Sequence, residues 1–116
     1  MYYNKQGIQI TQDEYMILTV NRDYRRIGYD TLSDGRIVST VWLGLNHNYE
    51  KTGEPLIFET MVFPSSTDFA EMECVRYATE EEAIKGHKEM ITKYRKLIVE
   101  ASTDKQVDRW KKKNMK

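Results

Sequence analysis

Ile37-Val38-Ser39-Thr40-Val41-Trp42-Leu43-Gly44-Leu45 is a β-branched and aromatic run, and it follows Ser33-Asp34-Gly35, a turn signal because glycine tolerates positive φ. Together they predict a hairpin whose first arm is Arg26 to Leu32. A second hairpin joins the 37–45 strand to Leu56-Ile57-Phe58-Glu59-Thr60-Met61-Val62-Phe63 across the polar loop Asn46 to Pro55. Both strands carry apolar residues on both faces, as central strands do. One face calls for a helix and the other for different cover, such as a second copy of the chain, so a homo-oligomer is expected.

The helix follows downstream. Thr79-Glu80-Glu81-Glu82 reads as a capping box, in which the Thr79 hydroxyl bonds the Glu82 backbone N–H while the Glu82 side chain reaches back. From there Ala83, His87, Met90, Ile91, Tyr94, Leu97, Ile98 and Ala101 recur at three- and four-residue steps, with lysines mostly off that stripe. An amphipathic helix over about 80–101 is predicted, its acidic start and basic later turns suiting the macrodipole. Weaker strand patterns lie at Tyr15 to Val20 and Met72 to Tyr77, with a short one at Gly7 to Ile10, and residues 64–70 carry turn formers. The fold class is therefore α+β: an antiparallel sheet of four to five strands with one long C-terminal helix packed on a face. Residues 1–101 read as a single domain and 102–116 as a basic tail that either continues as a short helix or frays.

Composition narrows the function classes. The 116 residues suit one core, and 40% apolar with 31% charged is neither disordered nor low-complexity. No apolar run nears the roughly 18–20 residues of a membrane span, and Met1-Tyr2-Tyr3-Asn4-Lys5 lacks a signal-peptide layout, so a soluble, intracellular protein is expected. The net charge of zero hides an asymmetry: residues 1–79 carry −4, residues 80–101 are neutral, and residues 102–116 carry +4. A mildly acidic body argues against dedicated duplex-DNA binding. A lone Cys74 excludes an intramolecular disulfide and any metal site built from several thiolates.

Three segments taken together carry a resemblance: Val38-Ser39-Thr40-Val41-Trp42-Leu43-Gly44-Leu45-Asn46-His47, Pro55-Leu56-Ile57-Phe58-Glu59-Thr60-Met61-Val62-Phe63, and Arg76-Tyr77-Ala78-Thr79-Glu80-Glu81-Glu82-Ala83. Over roughly residues 27–90 the chain resembles a family of small accessory proteins of tailed bacteriophages. The resemblance implies a viral accessory gene, of a type that often acts on the host by blocking a defence system, and a protein of the host cytoplasm. It transfers no catalytic residue and no substrate.

The residues themselves offer no catalytic or metal motif. There is no G-x-S-x-G elbow and no glycine-rich phosphate loop, and His47 and His87 are too far apart in sequence for metal-ligand spacing. His87, on the helix stripe, reads as a hydrogen-bonded core position rather than an acid–base group. Cys74 reads as a buried small hydrophobe. Glu59, the one charge in an apolar strand, is an exposed edge residue, a partner for Arg76 or a ligand contact. Asn46, His47 and Asn48 either shape a polar loop or present donors beside Trp42.

Arg22, Arg25, Arg26, Arg36 and Arg76 fall in or beside predicted strands, and convergence of some with Trp42 or Tyr77 would unite phosphate pairing with stacking. The expected ligand surface is Arg25, Arg26, Trp42, Asn46, His47, Arg76 and Tyr77, with no catalytic residue, metal or cofactor. The leading expectation is a non-enzymatic counter-defence protein whose partner is a nucleotide-type immune signal or a host defence protein. An interaction protein of phage replication or assembly and a small nucleotide-acting enzyme are the alternatives.

Overall fold

The computed structural model describes residues 1–48 and 53–114, so the centre of the expected 46–55 loop lies outside the described residues. In chain order the elements are β1 (Tyr2–Tyr3), β2 (Gln9–Ile10), α1 (Gln12–Thr19), α2 (Arg22–Arg25), β3 (Arg26–Thr31), β4 (Ile37–Trp42), β5 (Phe58–Phe63), β6 (Glu73–Tyr77) and α3 (Glu80–Asn114). β3 to β6 form one antiparallel sheet in sequence order, β1 and β2 form a two-stranded ribbon, and α3 packs on one face of the larger sheet. The α+β reading from the sequence is the architecture observed.

Register fixes which side chains meet the helix. Gly28, Thr40, Thr60 and Val75 lie in one row across the sheet, and Asp30, Val38, Val62 and Glu73 in another. With period-two alternation all of these share the α3 face. Leu32, Val38 and Val62 close on Met90 and Tyr94, with Ile91 and Ile98 against them. Each such buried side chain stabilises the fold by roughly 1.5–3 kcal/mol. Beyond the reach of that cluster, Trp42, Phe58, Ile57 and Ala83 form a second core covered by Tyr3, Tyr15, Leu18 and Tyr24.

The N-terminal segment corrects one sequence expectation. Tyr15 to Val20 is not a strand, because α1 occupies Gln12–Thr19. Its start is a true capping box: Thr11 Oγ1 accepts the Glu14 N–H at 3.1 Å, and Glu14 accepts the Thr11 N–H. Tyr15 and Leu18 pack inward while Met16, Ile17 and Val20 stay exposed, so the apolar run that resembled a strand spends only part of itself on the core. β4 also ends earlier than the predicted 45, since Gly44 takes φ +75 and turns the chain beneath Trp42.

α3 starts where the sequence placed it, with the Glu82 N–H donating to Thr79 Oγ1 at 3.1 Å, although the Glu82 carboxylate accepts from the Thr79 hydroxyl itself. It does not stop near 101 but continues to Asn114, carrying the basic segment as helix. Midway, Lys93 Nζ donates to both Glu73 oxygens at 2.8 Å, and the Tyr94 hydroxyl donates to the same carboxylate at 2.9 Å. The Lys93 bond holds the Glu73 carboxyl below its ordinary value, against a smaller opposing effect of burial and with help from Tyr94. A depressed carboxyl stabilises the fold above the unfolded-state value near 4.5, and that stability is lost as pH falls through the folded-state value. Glu73→Gln should therefore lower the melting temperature at neutral pH, with the gap from wild type closing as the pH drops below about 4.5. A gap that persists into acid would show that this pair does not titrate with folding.

Candidate functional site

The face of the sheet turned away from α3 carries Tyr29, Ser39 and Met61 in one row and Arg26, Val41, Glu59 and Arg76 in the next. α2 delivers further charge to it. Asn21 caps this single turn, accepting the Tyr24 N–H through Oδ1 at 3.1 Å, and the turn opens into β3 at Arg26. Arg22 and Arg25 thus stand one above the other at i and i+3 beside Arg26. A register shift between Arg26 and Gly28 re-aims the strand at this point. The result is a cavity of about 270 Å³ lined by Arg22, Arg25, Arg26, Tyr29, Ser39 and Val41. The Arg26 guanidinium lies 4.5 Å from the centre of the Tyr29 ring.

Among the described residues none of these three arginines is ion-paired with a carboxylate. Gathered guanidiniums without a counter-charge repel one another, and a multiply charged anion relieves that repulsion while filling their planar forks. A second cleft of about 270 Å³ near the ribbon offers Lys5 and Glu54, one charge of each sign, and so has no such preference.

The other expected site residues do not gather here. Arg76 shares the open face but sits on β6, three strand spacings or roughly 14 Å from β3, with Nη2 3.6 Å from Glu59. Glu59 is 6% exposed and also accepts the Cys74 Sγ–H at 2.9 Å, so it is a buried partner and not an exposed edge charge. Burial first, and then that bond to Glu59, push the Cys74 thiol up to about 12, which leaves no thiolate nucleophile at neutral pH. Trp42 is 2% exposed on the opposite face, and Tyr77 is half-buried there with it. Neither offers a stacking plane to the arginines. Asn46 Oδ1 accepts the N–H groups of Asn48 at 2.8 Å and Leu56 at 3.0 Å, while the His47 N–H donates to the Leu56 carbonyl at 2.9 Å. These contacts shape the loop away from the arginine cavity.

His87 is buried as expected, within a chain of polar atoms. Its Nε2 lies 2.7 Å from Asp30 Oδ2, its Nδ1 2.6 Å from Thr40 Oγ1, and that hydroxyl 2.6 Å from Thr60 Oγ1. With a carboxylate at Asp30, Nε2 carries hydrogen in the neutral ring, so Thr40 donates to Nδ1 and accepts from Thr60. Acid, imidazole and hydroxyl stand in the order of a hydrolytic triad, yet Thr40 is 0% exposed and no substrate reaches its oxygen. The arrangement pins α3 to the sheet.

Of the expected ligand-surface residues this cavity gathers Arg25 and Arg26, and beside them it places Arg22, Tyr29, Ser39 and Val41, which that expectation did not include. The usable signal was Arg22-Asp23-Tyr24-Arg25-Arg26 behind the capping residue Asn21, a turn that stacks cations on one side. Comparison with protein-family models, curated proteins and solved structures finds no match in any of the three. No helix among the described residues is long and apolar enough to cross a membrane.

Proposed function

We propose that this chain works by binding, not catalysis, as a phage accessory protein that counters host defence by sequestering a phosphate-bearing, nucleotide-type signal in the Arg22, Arg25 and Arg26 cavity. The arginine cluster without carboxylate partners carries the ligand class, and the resemblance of residues 27–90 supports the viral setting and the host cytoplasm. Charge-assisted bonds from each guanidinium are worth roughly 1.5–3 kcal/mol, so Arg25→Ala with Arg26→Ala should weaken nucleotide binding about a hundredfold or more. Calorimetry with adenosine triphosphate, a cyclic dinucleotide and adenosine tests this directly. Binding of the phosphorylated probes but not adenosine, with each probe recovered unchanged, is the expected result. Equal binding of adenosine defeats the phosphate assignment, and turnover of a probe makes the chain a nucleotide-acting enzyme.

A second reading, inhibition of a host defence protein, draws on the same open face, where Val41, Met61 and Phe63 lie half-buried. That face also suits a second copy of the chain. Light scattering should then report a particle of twice 13.8 kDa at tens of micromolar, and a 13.8 kDa particle removes the homo-oligomer from the proposal.

A further inference from the structure

The stripe of α3 that faces the core changes character where the sheet ends. Ala83, His87, Met90, Tyr94 and Ile98 are packed along it, and the same three- and four-residue steps continue through Ala101 to Lys105, Arg109 and Lys112. Asp34 and Arg36 of the β3–β4 turn still share a cleft with Ile98, Ala101 and Lys105. Beyond that cleft Arg109 and Lys111, Lys112 and Lys113 are all exposed, and Trp110 is 62% exposed among them. The molecule measures 70 × 29 × 22 Å, the long axis of an overhanging helix. Lys105, Arg109 and Lys112 follow one another by about 6 and 4.5 Å along that axis.

We infer that this cationic overhang is a second binding site, for single-stranded nucleic acid, separate from the arginine cavity. A coiled-coil seam or a lipid-facing stripe needs a run of apolar residues, and from 102 to 114 the sequence holds only Val107 and Trp110. Phosphates meet the cations, and an unpaired base has the flat face that an exposed indole stacks on, which a closed duplex withholds. The chain is neutral overall while residues 102–116 carry +4, so the attraction is local and screened by salt.

The test is fluorescence anisotropy of the full chain with labelled strands of about 20 nucleotides, oligo-dT and oligo-U, beside a duplex of the same length. Binding of either single strand supports the site, and the tighter of the two names the natural strand. With about four phosphates neutralised, affinity should fall roughly fiftyfold between about 50 and 200 mM salt. Arg109→Gln with Lys112→Gln should weaken binding at least about tenfold, Trp110→Ala about tenfold, and Arg25→Ala with Arg26→Ala not at all. All of these side chains are exposed, so the variants keep the fold. Unchanged binding by the Arg109/Lys112 variant overturns the inference. A duplex bound as tightly as the single strands with Trp110→Ala neutral also overturns it, as does tighter binding of a polyglutamate peptide, which would point to an acidic protein.

Discussion

Trp42→Ala should cost about 3–5 kcal/mol, a large share of the roughly 5–15 kcal/mol that holds a domain of this size together. The indole is 2% exposed, with the Tyr24 ring edge-on at 5.0 Å and the Tyr15 ring at 5.7 Å. Its Nε1–H donates to the Tyr3 carbonyl at 3.0 Å, so truncation also strands a backbone acceptor. Through these three tyrosines Trp42 is the peg on which residues 1–26 hang. Urea denaturation should show the loss as a lower midpoint, and Trp42→Phe should lose distinctly less by refilling most of the space. Fluorescence gives a second readout. The chain has two tryptophans, and removing the buried one leaves the exposed Trp110, so emission of the folded variant should shift to the red. A loss below about 1 kcal/mol would mean that Trp42 is a surface contact after all.

Gly28→Ala should be nearly as damaging, although alanine in place of a strand glycine normally gains about 0.5–1 kcal/mol. A Cβ there would stand 2.7 Å from His87 Nε2 and 2.8 Å from two ring carbons. The ring has nowhere to go, because Asp30 holds one nitrogen and Thr40 the other. Either α3 lifts or both bonds break, and the Thr40 hydroxyl loses its acceptor within the core. Overpacking of this kind costs roughly 1–3 kcal/mol and an unsatisfied buried group another 1–3, so a net loss of about 3 kcal/mol is expected. Because the damage runs through one imidazole, Gly28→Ala and His87→Ala combined should cost less than the sum of their separate losses. Simple additivity in that cycle would place the strain elsewhere.

How far the sequence could be read depended on whether local and tertiary signals agreed. Ser33-Asp34-Gly35, the β-branched runs and the Thr79 cap all pointed the same way as the sheet and α3, and the strands and the start of α3 stand close to where they were expected, although β4 ends at Trp42 and α3 runs on to Asn114. At Tyr15 to Val20 they conflicted. The run looks like strand by composition, but Thr11-Gln12-Asp13-Glu14 caps a helix, and that helix packs Tyr15 and Leu18 into the core around Trp42 rather than pairing in a sheet. The site was harder to read because residue type says little about facing. Arg76 and Tyr77 are adjacent, yet pleating sends them to opposite faces, one to an ion pair with Glu59 and the other to the core beside Trp42. Trp42 has the chemistry of a stacking platform and the location of a core residue, a difference set by the α1 packing that its neighbours in sequence do not encode.

The order β3-β4-β5-β6 has a kinetic meaning. Each pairing joins strands adjacent along the chain, so the sheet grows hairpin by hairpin through closures much shorter than the one α3 requires, and its formation should not be the slow event. The clasp of α3 is different: Asp30 and His87 are 57 residues apart, and bringing them together early would cost roughly 3–4 kcal/mol of chain entropy beyond a constant. The helix should therefore dock late, after the sheet has brought Asp30 and Thr40 into place. Substitutions at His87 would then act mainly by hastening unfolding, leaving the refolding rate close to that of the native chain.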